Sequence, residues 1–298
     1  MGKTGGRDSI EWRGQMKDRQ IQKWRHRRVG AGVRLITVVA LLWIPARGAE
    51  WFKKFEGPAP ALLRLGTVSG NVLVRGGDVS WIEVRVTTRG WTIGPGGVEV
   101  MDQRTGDVLD VGVQGEQEFF GIGERSIEMD VIVPRRMNVT ARTGKGTISA
   151  DHFGGDVKLI TDNGGIEALR MDGSLDARSG DGSVHFGGRF DRLNVRTMDG
   201  EVRGEIETDS AIAAKAVWRI HNGNGPVHLQ IPAGLKCNLH VGTFEGKVTV
   251  DLPAAGVRAA GVPGLRAKVN GGGRVFSVKT RGGDVGIRSE KPGDRSRE

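Results

Sequence analysis

Across residues 139–204, apolar and polar positions alternate in a frame that recurs every 18 residues. Val139, Val157, Leu175 and Leu193 form one apolar column, and Ala141, Leu159, Ala177 and Val195 form another two places on. After a turn the alternation resumes with Ile148, Ile166, Val184 and Val202, then Ala150, Ala168, Phe186 and Gly204. A spacing of two is strand spacing, so each unit predicts two short strands. The turn between them carries Gly146, Gly164, Gly182 and Gly200, preceded by Lys145, Asn163, Asp181 and Asp199. Glycine takes a positive φ without steric cost, and Asn and Asp are turn formers.

A short fixed period predicts coils stacked on one another, with like columns one strand spacing apart, about 4.8 Å. Outward columns such as Thr140, Lys158, Asp176 and Asn194 would then present polar groups at that same spacing. A single coil buries too few side chains to offset its backbone entropy, so neighbours must supply the difference and the two ends need covers.

The frame returns with slippage at Leu63, Leu65, Thr67, Gly70, Val72 and Val74, and again from Trp218 through Gly225 to Leu229. It recurs from Leu239 through Gly246 to Val250 and from Phe276 through Gly283 to Ile287. The predicted fold is all-β, a single-stranded parallel β-solenoid of 18-residue coils over residues 50–290. Gly70, Gly146, Gly164, Gly182, Gly200, Gly225, Gly246 and Gly283 are its predicted structural turn residues. Uneven spacing places a loop at 209–216 and one irregular coil at 257–269.

Composition agrees: 49 of 298 residues are glycine with only ten prolines, the signature of turn-dense β structure without collagen's triplet. The net charge of +9 is concentrated in residues 1–48, which hold 11 Lys and Arg against three acids. The remaining 33 basic and 32 acidic residues balance, which predicts no basic groove and no nucleic-acid partner.

Within the leader, Lys23-Trp-Arg-His-Arg-Arg28 precedes the apolar run Leu35–Ile44, then Pro45, Ala46, Arg47, Gly48 and Ala49. A ten-residue run, apolar but for Thr37, suits the core of an export signal, whereas a spanning helix needs about 20 residues. Residues 1–49 thus read as a signal peptide cut before Ala49, with an uncleaved anchor helix as the other reading and Met16 as an alternative start. Membrane contact is expected only through this segment. The chain is expected to be exported to the periplasm, the cell surface or beyond, with 291–298 as a disordered tail.

The phrase Val131-Ile-Val-Pro134 followed by Met137-Asn-Val-Thr-Ala-Arg-Thr-Gly-Lys-Gly-Thr-Ile148 resembles a bacterial adhesin-like domain family of unknown function. Its coils read Thr/Ser-x-x-Gly-x-Ile/Val, and Leu229-Gln-Ile-Pro232 leading to Gly246 repeats the strand-proline-coil phrase. The resemblance covers residues 62–289. It implies a parallel β-solenoid of the cell envelope and carries over no catalytic residue.

Candidate chemistry is sparse. Cys237 stands alone and, by alternation, points inward as a small buried hydrophobe. His152, His185, His221, His228 and His240 lack paired ligand spacing, and the glycine-aspartate phrase of calcium-binding β-rolls is missing. Asp181 and Asp199 would stack as neighbours, read as solvated turn acids. An enzyme acting on envelope polysaccharide would draw on Arg170, Arg178, Arg192, Arg196 and Arg203 with Asp176, Asp191 and Glu205 gathered on one face. The favoured expectation is a non-enzymatic binding or structural module without catalytic residue, cofactor or metal, whose partner is a glycan, the cell wall or an envelope protein. Polysaccharide turnover and an accessory role in envelope stress signalling are the alternatives.

Overall fold

The computed structural model describes residues 48–115, 126–207 and 217–289. The leader up to residue 47, the 209–216 loop and the 291–298 tail lie outside the described residues. The described chain is all-β, relieved by one 3-10 turn at Pro253–Ala255. Its strands are β1 (Glu50–Phe55), β2 (Leu62–Ser69), β3 (Asn71–Gly77), β4 (Ile82–Arg89), β5 (Glu99–Thr105), β6 (Val108–Gln114) and β7 (Ser126–Pro134). There follow β8 (Asn138–Lys145), β9 (Ile148–Asp151), β10 (Asp156–Asn163), β11 (Ile166–Asp181), β12 (Val184–Asp199), β13 (Val202–Glu207) and β14 (Val217–Asn224). The last are β15 (Val227–Ile231), β16 (Cys237–Glu245), β17 (Val248–Leu252), β18 (Val257–Val262), β19 (Gly264–Val269), β20 (Arg274–Gly282) and β21 (Val285–Ser289).

In the regular stretch, backbone pairing follows the apolar columns. Val139 pairs with Val157, Val157 with Leu175 and Leu175 with Leu193, all in parallel strands. Beyond the turn, Ile148 pairs with Ile166, Ile166 with Val184 and Val184 with Val202. These eight side chains are all buried, because alternation turns every second residue into the space between two walls. The first wall runs β5-β6-β2-β8-β10-β11-β12-β14-β20-β16-β19. The second runs β1-β4-β7-β3-β9-β11-β12-β13-β15-β21-β17-β18. β11 and β12 belong to both, each being 16 residues long where the frame predicts two short strands. Register shifts at Ala168/Met171 and Gly173/Ser174 absorb the bend.

A single-stranded parallel coil from end to end is not what the chain forms. The sheet is mixed: β5 lies antiparallel on β6, β4 on β7, β1 on β4, β19 on β16 and β18 on β17. Residues 257–269, expected as one irregular coil, are two of these antiparallel strands. The order along the stack also departs from chain order. β2 and β3 sit between β6/β7 and β8/β9, and β20 and β21 sit between β14/β15 and β16/β17. Both departures place the irregular segments outermost, where antiparallel strands cover open backbone edges of the parallel ladder.

The glycine column explains which segment meets which. Gly70, Gly146, Gly164, Gly182, Gly200, Gly225 and Gly283 all have positive φ, whereas Gly246, at the far end, does not. A Cβ on Gly146 would overlap the carbonyl of Gly70, one on Gly164 that of Gly146, one on Gly225 that of Gly200, and one on Gly283 that of Gly225. Onto the same carbonyls the buried frame hydroxyls donate: Thr143 Oγ1 to Gly70 at 2.9 Å, Thr161 to Gly146 at 3.1 Å, Ser179 to Gly164 at 2.9 Å and Thr197 to Gly182 at 3.0 Å. Asn222 Nδ2 does the same to Gly200 at 2.9 Å. Segment 62–77 carries both Thr67 and Gly70, so it can seat against 138–151; segment 108–114 lacks that frame and takes the outer place.

Large side chains concentrate toward the C-terminal half. Phe186 meets Phe190 edge-on at 5.7 Å between ring centroids, and Trp218 meets Phe276 at 5.4 Å. Glycine at position 204 makes room for the Phe186 ring, whose far edge occupies the place of a Cβ.

Candidate functional site

The outward columns of the first wall carry polar side chains in register. Arg64 pairs with Thr140, Thr140 with Lys158, Lys158 with Asp176, Asp176 with Asn194 and Asn194 with Arg219. Side chains in this column therefore stand about 4.8 Å apart, and each can bond its neighbour. Asn194 Nδ2 donates to Asp176 Oδ1 at 2.6 Å, and Arg178 takes the same carboxylate through Nε and Nη2. Arg192 reaches Asp156 at 2.7 Å. Between these columns, from Leu62 across Lys158 to Arg192, lies a shallow depression of about 550 Å³.

Charge divides along this wall. Its N-terminal part mixes Asp110, Asp156, Asp162 and Asp176 with Arg64, Arg142, Lys158 and Arg178. From β12 onward the outward positions are Arg192, Asn194 and Arg196, then Arg219 and His221 on β14, and Ser277, Lys279 and Arg281 on β20. Asn238 and His240 follow on β16, with Arg266 and Lys268 on β19. The acids of these five strands, Asp191, Asp199 and Glu245, fall at bends and turns, and none occupies an outward position on the wall. His221 reports the field: partial burial, then the charges of Arg196 and Lys279 on either side, push its imidazole below the usual histidine range. The balanced total over residues 49–298 predicts no basic groove, and what it conceals is a one-sided distribution of cations on this wall.

The residues proposed for polysaccharide chemistry do not converge. Arg178, Arg192, Arg196 and Asp176 project from the first wall, Arg203 and Glu205 from the second, and Asp191 and Arg170 lie at bends. Arg170 belongs to a separate knot. It donates to Asp151 Oδ2 and, through Nε, to His152 Nδ1 at 2.9 Å, while His152 contacts Asp151 at 3.0 Å. Burial alone would raise the Asp151 pKa, but the hydrogen bond and charge of Arg170, with the His152 ring beside it, outweigh it and hold the carboxyl below its ordinary value. His152 and Arg170, 18 residues apart, have φ of 61° and 51°, and on the next strand Gly188, paired with Met171 past a register shift, has φ of 131°. The knot holds two side chains in conformations that glycine favours, a cost of order 1–3 kcal/mol each.

Cys237 is fully buried, as alternation predicts, beside Arg274. Burial pushes its thiol up to about 11 against the opposing pull of the Arg274 charge, which leaves almost no thiolate near neutrality. A thiol reagent at pH 8 is expected to leave the folded protein unlabelled and to label one thiol per chain in denaturant; prompt labelling of the native protein would contradict this burial. Asp181 and Asp199 do pair across β11 and β12, and Asn224 Nδ2 donates to Asp199 Oδ1 at 2.7 Å. Among the described residues no group of three His, Cys, Asp or Glu side chains could hold a metal ion, and no helix is long and apolar enough to cross a membrane.

No protein-family model matches the chain, and no curated protein does either. Solved structures do. The chain is similar to a candidate cell adhesion protein from Clostridium sporogenes, at 12% identity over 82% of this chain and 100% of that one, with a TM-score of 0.40. It is similar to a candidate adhesin from Bacteroides fragilis, at 10% identity over 81% and 97% of the two chains and a TM-score of 0.32. A candidate lipid-binding protein from Parabacteroides distasonis matches at 11% identity over 83% and 98%, with a TM-score of 0.35.

Proposed function

We propose that this chain is a non-enzymatic, adhesin-like binding module, exported by its basic leader, whose β-solenoid core holds a stiff outer wall against an envelope or cell-surface partner. The observation that carries the reading is the in-register first wall, in which Thr140, Lys158, Asp176 and Asn194 succeed one another at strand spacing. Such a ruler of polar groups matches an extended partner, a glycan or a cell-wall polymer, better than it matches a compact ligand. The positive-φ glycines serve the scaffold: they let coils approach closely enough for the outer side chains to hold their spacing. Nothing in this role requires a cofactor or a metal.

Retention tests it. The full-length protein, incubated with purified cell walls and an array of neutral and charged glycans, is expected to be retained by at least one surface glycan or by the wall fraction. Absence of retention on all of them, with the protein folded by circular dichroism, would remove the adhesive reading. Turnover of a wall polysaccharide would replace it with an enzymatic one.

A further inference from the structure

We propose that the C-terminal half of the first wall is a docking surface for an extended acidic polysaccharide. The inference rests on the binding-module reading above and names the partner's chemistry. Arg196, Arg219, Lys279, Arg281, Arg266 and Lys268 are exposed on four of five adjacent strands, and among the described residues none of them forms an ion pair. On the N-terminal part of the same wall, by contrast, Arg64, Arg142 and Arg178 are each within reach of a carboxylate, as is Arg192 at its border. The second wall of the same coils is mixed, with Glu205 and Asp251 among its outward positions.

Arg219 is a diagonal neighbour of both Arg196 and Lys279 on the adjacent strands, and like charges so placed repel, so the arrangement costs stability unless something anionic covers it. Crossing from β12 to β19 takes four steps of about 4.8 Å, roughly 19 Å. A compact anion would meet only one or two of these cations, whereas a linear polyanion laid across the strands meets several in succession. A polyuronate fits: an extended chain carries a carboxylate on every sugar, so it can meet cations spread over several strands with neutral positions between them. Single-stranded nucleic acid fits less well because base stacking needs aromatic platforms. Apart from the imidazoles of His221 and His240, the aromatic ring at an outward position of these five strands is that of Phe244, at the edge. An anionic membrane would need apolar residues interleaved with the charges to insert below the headgroups. The exposed apolar residues here, Met198, Phe244 and Val275, lie instead toward the strand ends, and Asn194, Ser277 and Asn238 stand among the cations.

The test is equilibrium binding of the full-length protein to polygalacturonate, with dextran, oligo-dT and phosphatidylglycerol vesicles as competing probes. Polygalacturonate is expected to bind, dextran not, and affinity to fall as salt rises, because exposed charges are screened. The double variant Arg219→Glu/Lys279→Glu is expected to lose roughly tenfold or more in affinity, from two reversed contacts of modest individual strength. Arg203→Glu/Arg288→Glu on the second wall should bind as the parent does. The basic leader is common to all variants, so differences between them report the wall. Undiminished binding by Arg219→Glu/Lys279→Glu overturns the proposal, as does a larger loss in that variant of oligo-dT or vesicle binding than of polygalacturonate binding. Failure to bind polygalacturonate while cell walls or a neutral glycan retain the protein also overturns it and leaves the binding-module reading standing; failure on every probe removes both. Matching thermal unfolding of all variants confirms that the fold is intact.

Discussion

Gly146→Ala is expected to destabilise the protein by about 3–5 kcal/mol in denaturant unfolding, a loss at the upper end for one methyl group. Two independent costs combine. Gly146 has φ of 134°, where a side chain is strained in any surroundings. Its Cβ would also overlap the Gly70 carbonyl oxygen and lie 2.7 Å from the carbonyl carbon. That carbonyl cannot retreat freely, since it already accepts the Thr143 hydroxyl at 2.9 Å. Because Gly70 lies in the segment that stacks out of chain order, the same variant tests the seating of 62–77 on 138–151. Gly112→Ala is the control: it has no positive φ and nothing within 4 Å of a Cβ added there, so its effect should be neutral or stabilising by up to about 1 kcal/mol. Equal effects of the two substitutions would mean that the glycine column does not hold the coils at this spacing.

Trp218→Ala carries the second large expectation, a loss of about 3–5 kcal/mol. The indole is fully buried, packs edge-on against Phe276 and donates its Nε1–H to the Phe190 carbonyl at 3.2 Å. The Arg274 guanidinium lies over its face, 4.5 Å from the centroid. Trp218 therefore joins β12, β14 and β20 at the point where the chain order of the stack is broken. Removing it leaves a cavity and takes the aromatic face from Arg274. Trp218→Phe retains most of the contact with Phe276 but not the N–H donor, and is expected to cost about 1–2 kcal/mol by the same measurement. A cost below about 1 kcal/mol for the alanine variant would show that this end of the core contributes little to cooperative unfolding.

Much of the interior is legible in the chain itself. The alternation of Val139, Ala141, Ile148 and Ala150, repeated 18 residues on, marks which side chains face in, and Cys237 follows the same rule. The Thr/Ser-x-x-Gly frame marks the turns, because a hydroxyl and a residue tolerant of positive φ are needed at that spacing to meet the neighbouring carbonyl. The cationic wall is another matter. Arg196 and Arg219 could be placed in outward columns from their strands alone, but Lys279 joins them only because β20 pairs with β14, and Arg266 only because β19 runs antiparallel to β16. A sum over charges assigns none of them a side.

Turn positions, strand periodicity and the distinction between inside and outside follow from the sequence, since each depends on residues a few places apart and on backbone sterics that act locally. The neighbour of each coil, the antiparallel covers at the two ends and the gathering of one-sided charge were decided by the tertiary structure. Backbone ladders pair any strand with any other, so the choice among partners falls to glycine-on-carbonyl seating and side-chain fit between segments far apart in the chain.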